Sequence, residues 1–134
     1  MKIMIMDGQG GGVGKNIAER LKEHGLAGAI IVVGTNAVAT SNMMRAGIAV
    51  GATGENAVIY NAARAEIIVG PIGIIVPNAM YGEITPRMTT AVGESDARKI
   101  LIPVQNAHIY IAGMEPKNLS ECVNAAVTEI LASL

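Results

Sequence analysis

The sequence predicts an α/β fold, a single three-layer domain built on a mostly parallel sheet of five or six strands. Three observations lead there. Short apolar runs such as residues 29–33 are rich in β-branched residues and carry no polar face, as strands buried on both sides require. Between them lie stretches whose apolar residues recur at helical spacing. A glycine-rich turn, residues 7–14, joins the first strand to the first helix. With 134 residues the chain has room for one such domain and not two.

The elements follow in order. Residues 2–6 form a first strand. Residues 15–24 read as an amphipathic helix, with Val13, Ile17, Ala18 and Leu21 on one face and Lys15, Glu19, Arg20, Lys22 and Glu23 on the others. Gly25 stands where a left-handed C-terminal cap is wanted. Residues 29–33 are the second strand. Asn36 caps a helix over 37–46 that Gly47 closes. A very short third strand is expected at 48–50, and Thr53 or Gly54 opens a helix through residue 65. The fourth strand is 66–69, ending in Gly70-Pro71-Ile72-Gly73. Pro77 and Gly82 interrupt residues 74–83, so no long helix fits there. Thr85-Pro86 is a cap and first-turn pair for a helix to residue 92. Residues 100–104 are the fifth strand and 108–112 a sixth. Asn118 or Pro116 starts a last helix with an apolar stripe from Leu119 to Leu134.

Composition narrows the function. The chain is 51% hydrophobic and 16% charged, with 16 glycines, no Phe and no Trp. Disorder, a collagen repeat and a disulfide scaffold are excluded, the last because Cys122 is alone. Three tyrosines, Tyr60, Tyr81 and Tyr110, are too few for a base-stacking platform, and a net charge of -1 draws neither nucleic acid nor an anionic membrane. No apolar run is long enough for a signal peptide or a membrane span, so a cytoplasmic protein is expected. So much apolar residue in a small chain leaves surface to cover, and a homo-oligomer would cover it. No metal site is expected: His24 and His108 are far apart in sequence, and Cys122 lies in an apolar helix stripe.

The turn Asp7-Gly8-Gln9-Gly10-Gly11-Gly12-Val13-Gly14-Lys15-Asn16 is the most informative segment. Glycines between a strand and the helix it feeds let the backbone approach a ligand, and the N–H groups at the helix start point at an anion. The P-loop pattern fails at two fixed positions, held here by Gln9 and Asn16. A small phosphorylated or nucleotide ligand remains, with Gly8, Gly10, Gly11, Gly12 and Gly14 as backbone cradle and Lys15 near the phosphate. In an open parallel sheet the carboxyl ends of all strands share one edge. Thr35, Asn36, Thr53 and Asn56 are therefore expected to line the same crevice, with Gly70–Gly73 and Gln105-Asn106. The polar segment 78–87 adds weak catalytic candidates: Glu83 as base, Tyr81 as donor or stacking ring, Arg87 as anion clamp.

Gly8, Gly12 and Gly14 reproduce the G-x-x-x-G-x-G spacing of short-chain dehydrogenases, and residues 13–21 resemble the helix that follows it there. That resemblance implies a Rossmann-like fold with a strand order of 3-2-1-4-5 and a pyrophosphate at the helix start. The family's catalytic Y-x-x-x-K is not matched: the chain offers Tyr60 and Arg64, and arginine holds its proton at neutral pH. The second strand ends in Gly34-Thr35-Asn36, without the acid that binds an NAD ribose and without the arginine that receives a 2′-phosphate. NADP or another nucleotide thus stays open as cofactor. Over nearly its full length the chain also resembles a small family of uncharacterised bacterial proteins, mainly from anaerobic Firmicutes, which has no assigned function. The resemblance is carried by Asp7–Gly12, Gly34–Ala37, Gly51–Asn56, Gly70–Ile74, Gly82–Pro86 and Lys99–Pro103. Three functions remain: a nucleotide- or dinucleotide-binding protein in a redox or regulatory role, a non-enzymatic homo-oligomeric interaction protein, or a small enzyme acting on a phosphorylated metabolite through Glu83 and Arg87.

Overall fold

Five parallel strands in the order β3-β2-β1-β4-β5 form one sheet in the computed structural model, which describes residues 1–104, 108–115 and 117–134. The strands are β1 (Ile3–Asp7), β2 (Ile30–Gly34), β3 (Gly51–Thr53), β4 (Ile67–Pro71) and β5 (Arg98–Ile102); the helices are α1 (Gly12–Glu23), α2 (Ala37–Met44), α3 (Glu55–Ala62), α4 (Pro86–Glu94) and α5 (Leu119–Ala132). The domain is Rossmann-like, and the strand order is the expected one.

Burial explains why strands 1, 2 and 4 lack a polar face. Side chains alternate across a strand, so β1 sends Ile3 and Ile5 to one side and Met4 and Met6 to the other, and both sides are covered. Ile17, Leu21, Met43, Val127 and Ile130 pack on the first face, from α1, α2 and α5. Val58, Met88 and Val92 pack on the second, from α3 and α4, together with Ile74 and Ile84. The strands pair in tight register, Ile5 beside Val32 and Val69. At Gly70 the sheet tolerates no side chain, because a Cβ would run into the Met6 carbonyl oxygen. Gly70→Ala is expected to lower stability by about 2–3 kcal/mol in urea denaturation, since the neighbour is backbone and cannot turn aside.

Helix starts follow the capping chemistry. Asn36 accepts from Ala39 N–H, Thr85 from Met88 N–H with Pro86 next, and Asn118 with Glu121 makes a reciprocal capping box. Gly25 and Gly47 take the left-handed conformation at φ 76° and 101°.

Three expectations are corrected. The third strand lies at Gly51–Thr53, not at 48–50: after the Gly47 turn, Ile48 is buried, and residues 49 and 50 carry the chain to the edge beside β2. An edge strand needs no β-branched residues, which is why the apolar pattern misplaces it. The segment 108–112 is not a strand; only Ile109 makes an isolated bridge, Tyr110 and Ile111 are exposed, and the chain turns at Gly113 with φ 80°. The first helix begins at Gly12 rather than Lys15, so Gly12 and Gly14 belong to its first turn. Pro116, Gln105 and Asn106 lie outside the described residues. No helix among those described is long and apolar enough to cross a membrane.

Candidate functional site

The strand order reverses between β1 and β4: α1 leads from β1 toward β2, while β4 lies on the other side. Open α/β sheets leave a crevice at that point, outside the carboxyl ends of the strands. Here it measures about 450 Å3 and is bounded by Gly8–Gly12 on one side and by Pro71–Gly73, Met80, Val104 and Leu119 on the others.

The turn forming its wall is tied down group by group. Asp7, at the end of β1, accepts Gly8 N–H at Oδ1 (2.7 Å) and Gly14 N–H at Oδ2 (2.8 Å). Glu83 Oε1 accepts Gln9 N–H at 2.8 Å, and Gly11 N–H closes the turn onto Gly8 O at 2.9 Å. The carbonyls are held as well: Asn36 Nδ2 donates to Gln9 O, Asn42 Nδ2 to Gly10 O and Lys15 N–H to Gly11 O. Buried or half-buried backbone groups need such partners. The N–H groups of Gly10 and Gly12, both exposed and the latter at the first position of α1, have no such acceptor among the described residues.

The same two positions stand apart sterically. Gly11 has φ 73° with Ala39 O against it, so the fold requires glycine there; at Gly8 a Cβ would displace Met80 Sδ and the Thr35 hydroxyl, and at Gly14 it would displace Met43 Sδ, so both are tightly packed. A Cβ on Gly10 or Gly12 would meet nothing within 4 Å, and neither has a positive φ. Internal packing therefore explains three glycines of the turn and leaves these two.

Two carboxylates flank the turn, and their environments push them apart. Asp7 is 4% exposed, and burial pushes its carboxyl above the ordinary value of 3.8. The N–H groups of Gly14, Gly8 and Val13 pull the other way, and the Glu83 charge adds to the rise. Glu83 is half-buried, and Gln9 N–H first, then the Thr35 hydroxyl and Asn36, hold it below the ordinary value of 4.5 against some desolvation.

Opposite signs follow for stability. Asp7 binds its proton more tightly folded than unfolded, so the part of its contribution linked to that proton is full below pH 3.8 and is lost as pH rises through the folded value, while its bonds to the turn remain. Glu83 contributes above pH 4.5 and loses that contribution as pH falls through its folded value. Denaturation curves from acid to neutral pH are expected to show the gap between wild type and Asp7→Asn narrowing as pH rises. The gap between wild type and Glu83→Gln is expected to narrow as pH falls. Parallel pH profiles for the two variants would contradict the assignment.

Of the residues expected at the site, Gly8, Gly10, Gly11 and Gly12 border the crevice. Gly14 lies beneath it, bonded to Asp7. Lys15 is half-buried on the first turn of α1 and is not one of the crevice-lining residues. Thr35 and Asn36 meet Glu83 on the β2 side of the turn. Thr53 and Asn56 lie farther along the sheet edge, where Thr53 Oγ1 pairs with Thr40 Oγ1 at 2.8 Å and Asn56 is exposed.

The weak catalytic trio is not brought together. Tyr81 is fully exposed at φ 57°, and Arg87 is 3.7 Å from the carboxylate of Glu55 with its side chain in solvent. Only Glu83 reaches the turn. The sequence reading missed Asp7 and Met80; a carboxylate closing an otherwise apolar strand was the available signal for the first. Among the described residues no group of three or more His, Cys, Asp or Glu is placed to hold a metal.

Fold and crevice together define a Rossmann-like α/β domain with a glycine turn at its topological switch point. The chain belongs to the family described as Domain of unknown function (DUF3842), whose model matches residues 2–134. No curated protein and no solved structure gives a significant match.

Proposed function

We propose that this domain binds a nucleotide or dinucleotide, with a phosphate held against Gly10 and Gly12 at the β1–β4 switch point. NADP or another nucleotide is the ligand class. The observation that carries the reading is the pair of glycines itself. Each borders the crevice, each has an N–H without an internal acceptor among the described residues, and neither is glycine for the sake of the fold. Close approach by a ligand's phosphate uses both properties, the bare backbone and the donor. The surrounding turn is already fixed by Asp7, Glu83, Asn36 and Asn42, so little further ordering is needed on binding.

Thermal shift against NADPH, NADH, ATP, GTP and sugar phosphates tests this. At least one is expected to stabilise the wild type, and Gly12→Val to abolish that shift while remaining folded. The enzyme reading is the weaker one, since Glu83, Tyr81 and Arg87 do not converge. A cytoplasmic homo-oligomer remains the expected setting. The exposed Val104, Tyr110, Ile111 and Met114 around the groove between β5 and α5 favour association, and light scattering that gives a strict monomer would argue against it.

A further inference from the structure

Glu83 occupies a position that an oxygen of a bound anion would suit. Its Oε1 receives Gln9 N–H at 2.8 Å, the Thr35 hydroxyl at 2.7 Å and Asn36 Nδ2 at 2.8 Å. These donors come from two segments far apart in sequence, the glycine turn and the end of β2, and they converge on one oxygen. A phosphate oxygen accepts the same donors at the same distances.

The loop that delivers Glu83 is wound against its preferences. Asn78, Met80 and Tyr81 have φ of 68°, 58° and 57°, and Gly82 follows at 89°. Residues other than glycine avoid that region, and they stay there only where surrounding contacts hold them. The contacts here are the loop's own backbone bonds, Asn78 N–H to Ile84 O at 2.7 Å, Gly82 N–H to Asn78 O at 3.1 Å and Ile84 N–H to Ala79 O at 3.2 Å, together with the Glu83 carboxylate, the buried Ile84 and Met80 above Gly8.

We infer that Gln9 N–H, the Thr35 hydroxyl and the Asn36 amide form a second phosphate seat, on the β2 side of the turn and separate from Gly10 and Gly12, and that Glu83 fills it in the free protein as an internal stand-in which a phosphate displaces. The displacement releases the loop 76–85 from the turn. The identity of the phosphate's carrier rests on the nucleotide reading above; the seat does not, because inorganic phosphate alone probes it.

The test is calorimetric titration of inorganic phosphate into wild type, Glu83→Ala, Glu83→Gln and the double variant Glu83→Ala/Thr35→Val. A seat that is filled internally most of the time binds more weakly by its open fraction, so Glu83→Ala is expected to bind phosphate about tenfold tighter or more. Glu83→Gln keeps the shape without the charge and is expected to gain less, and it carries the test if the alanine variant fails to fold. Thr35→Val in the alanine background is expected to reverse the gain. Phosphate affinities of both single variants no higher than wild type overturn the seat, as does a gain that survives Thr35→Val. If the variants gain phosphate affinity but no nucleotide or sugar phosphate binds wild type, the seat stands and the nucleotide reading falls. If nucleotides bind wild type and neither variant gains, the reverse holds.

Discussion

Replacing Asp7 by alanine is expected to lower the unfolding free energy by about 2–4 kcal/mol. The estimate starts from two hydrogen bonds to a charged acceptor, at about 1.5–3 kcal/mol each, and subtracts the cost of burying the carboxylate itself. Both bonds end on backbone N–H groups of the turn, Gly8 and Gly14, and both glycines are buried. Alanine leaves those donors without their acceptor in the wall of the crevice. Asp7→Asn keeps one carbonyl oxygen but turns an amide N–H toward a donor, so a loss of about half that size is expected. Urea denaturation near neutral pH checks both values. A loss below about 1 kcal/mol for Asp7→Ala would show that the turn does not depend on this carboxylate. Since a domain of this size is stable by about 5–15 kcal/mol in total, the expected loss is a large share.

The second large effect falls on binding rather than stability. Gly12→Val and Gly10→Val place a Cβ where no atom outside the adjoining stretch of chain stands within 4 Å, so the unliganded domains are expected to stay within about 1 kcal/mol of wild type. Gly12→Ala is expected to be slightly more stable than wild type, by about 0.4–1 kcal/mol, because the unfolded chain loses freedom and the folded φ is acceptable. A ligand present at a hundred times its Kd adds about 2.7 kcal/mol to wild type. In the valine variants that gain is expected to vanish, because the branched side chain fills the space the phosphate needs. Equal stabilisation of wild type and both valine variants by the same ligand would place its phosphate elsewhere. By contrast Gly11→Val, at φ 73° against Ala39 O, should damage the fold outright, and it serves as the control for a glycine that the structure needs.

Much of the architecture is legible in the chain because burial and period are coupled. The runs at β1, β2 and β4 are apolar on both faces, and only a sheet covered on both sides accommodates that. The caps Asn36, Thr85 and Asn118 announce their helices locally. β3 and the segment 108–112 depart from the pattern in different ways: at 48–50 the apolar run marks burial without pairing, and at 108–112 it is left largely exposed. Ile48 is buried without joining the sheet, while Gly51–Thr53 joins it at an exposed edge.

The site was legible in part. Gly8, Gly10, Gly11 and Gly12 signal a turn beside a helix start, and the crevice lies there. What periodicity does not carry is which glycines serve the fold, since that depends on Met43, Ala39 and Met80, brought in from other segments. The link from Glu83 to Gln9 spans 74 residues, and no local pattern announces it.

In the proposed complex the N–H groups of Gly10 and Gly12 face a bound phosphate. Amide chemical shifts of the labelled protein during titration with NADPH, NADH, ATP, GTP and a sugar phosphate test it directly. At least one of these is expected to move the Gly10 and Gly12 amides downfield together and saturably, with smaller changes at Gly14, whose N–H is already bonded to Asp7. Saturating binding that leaves both amides unmoved, or no binding by any of the five, would contradict it.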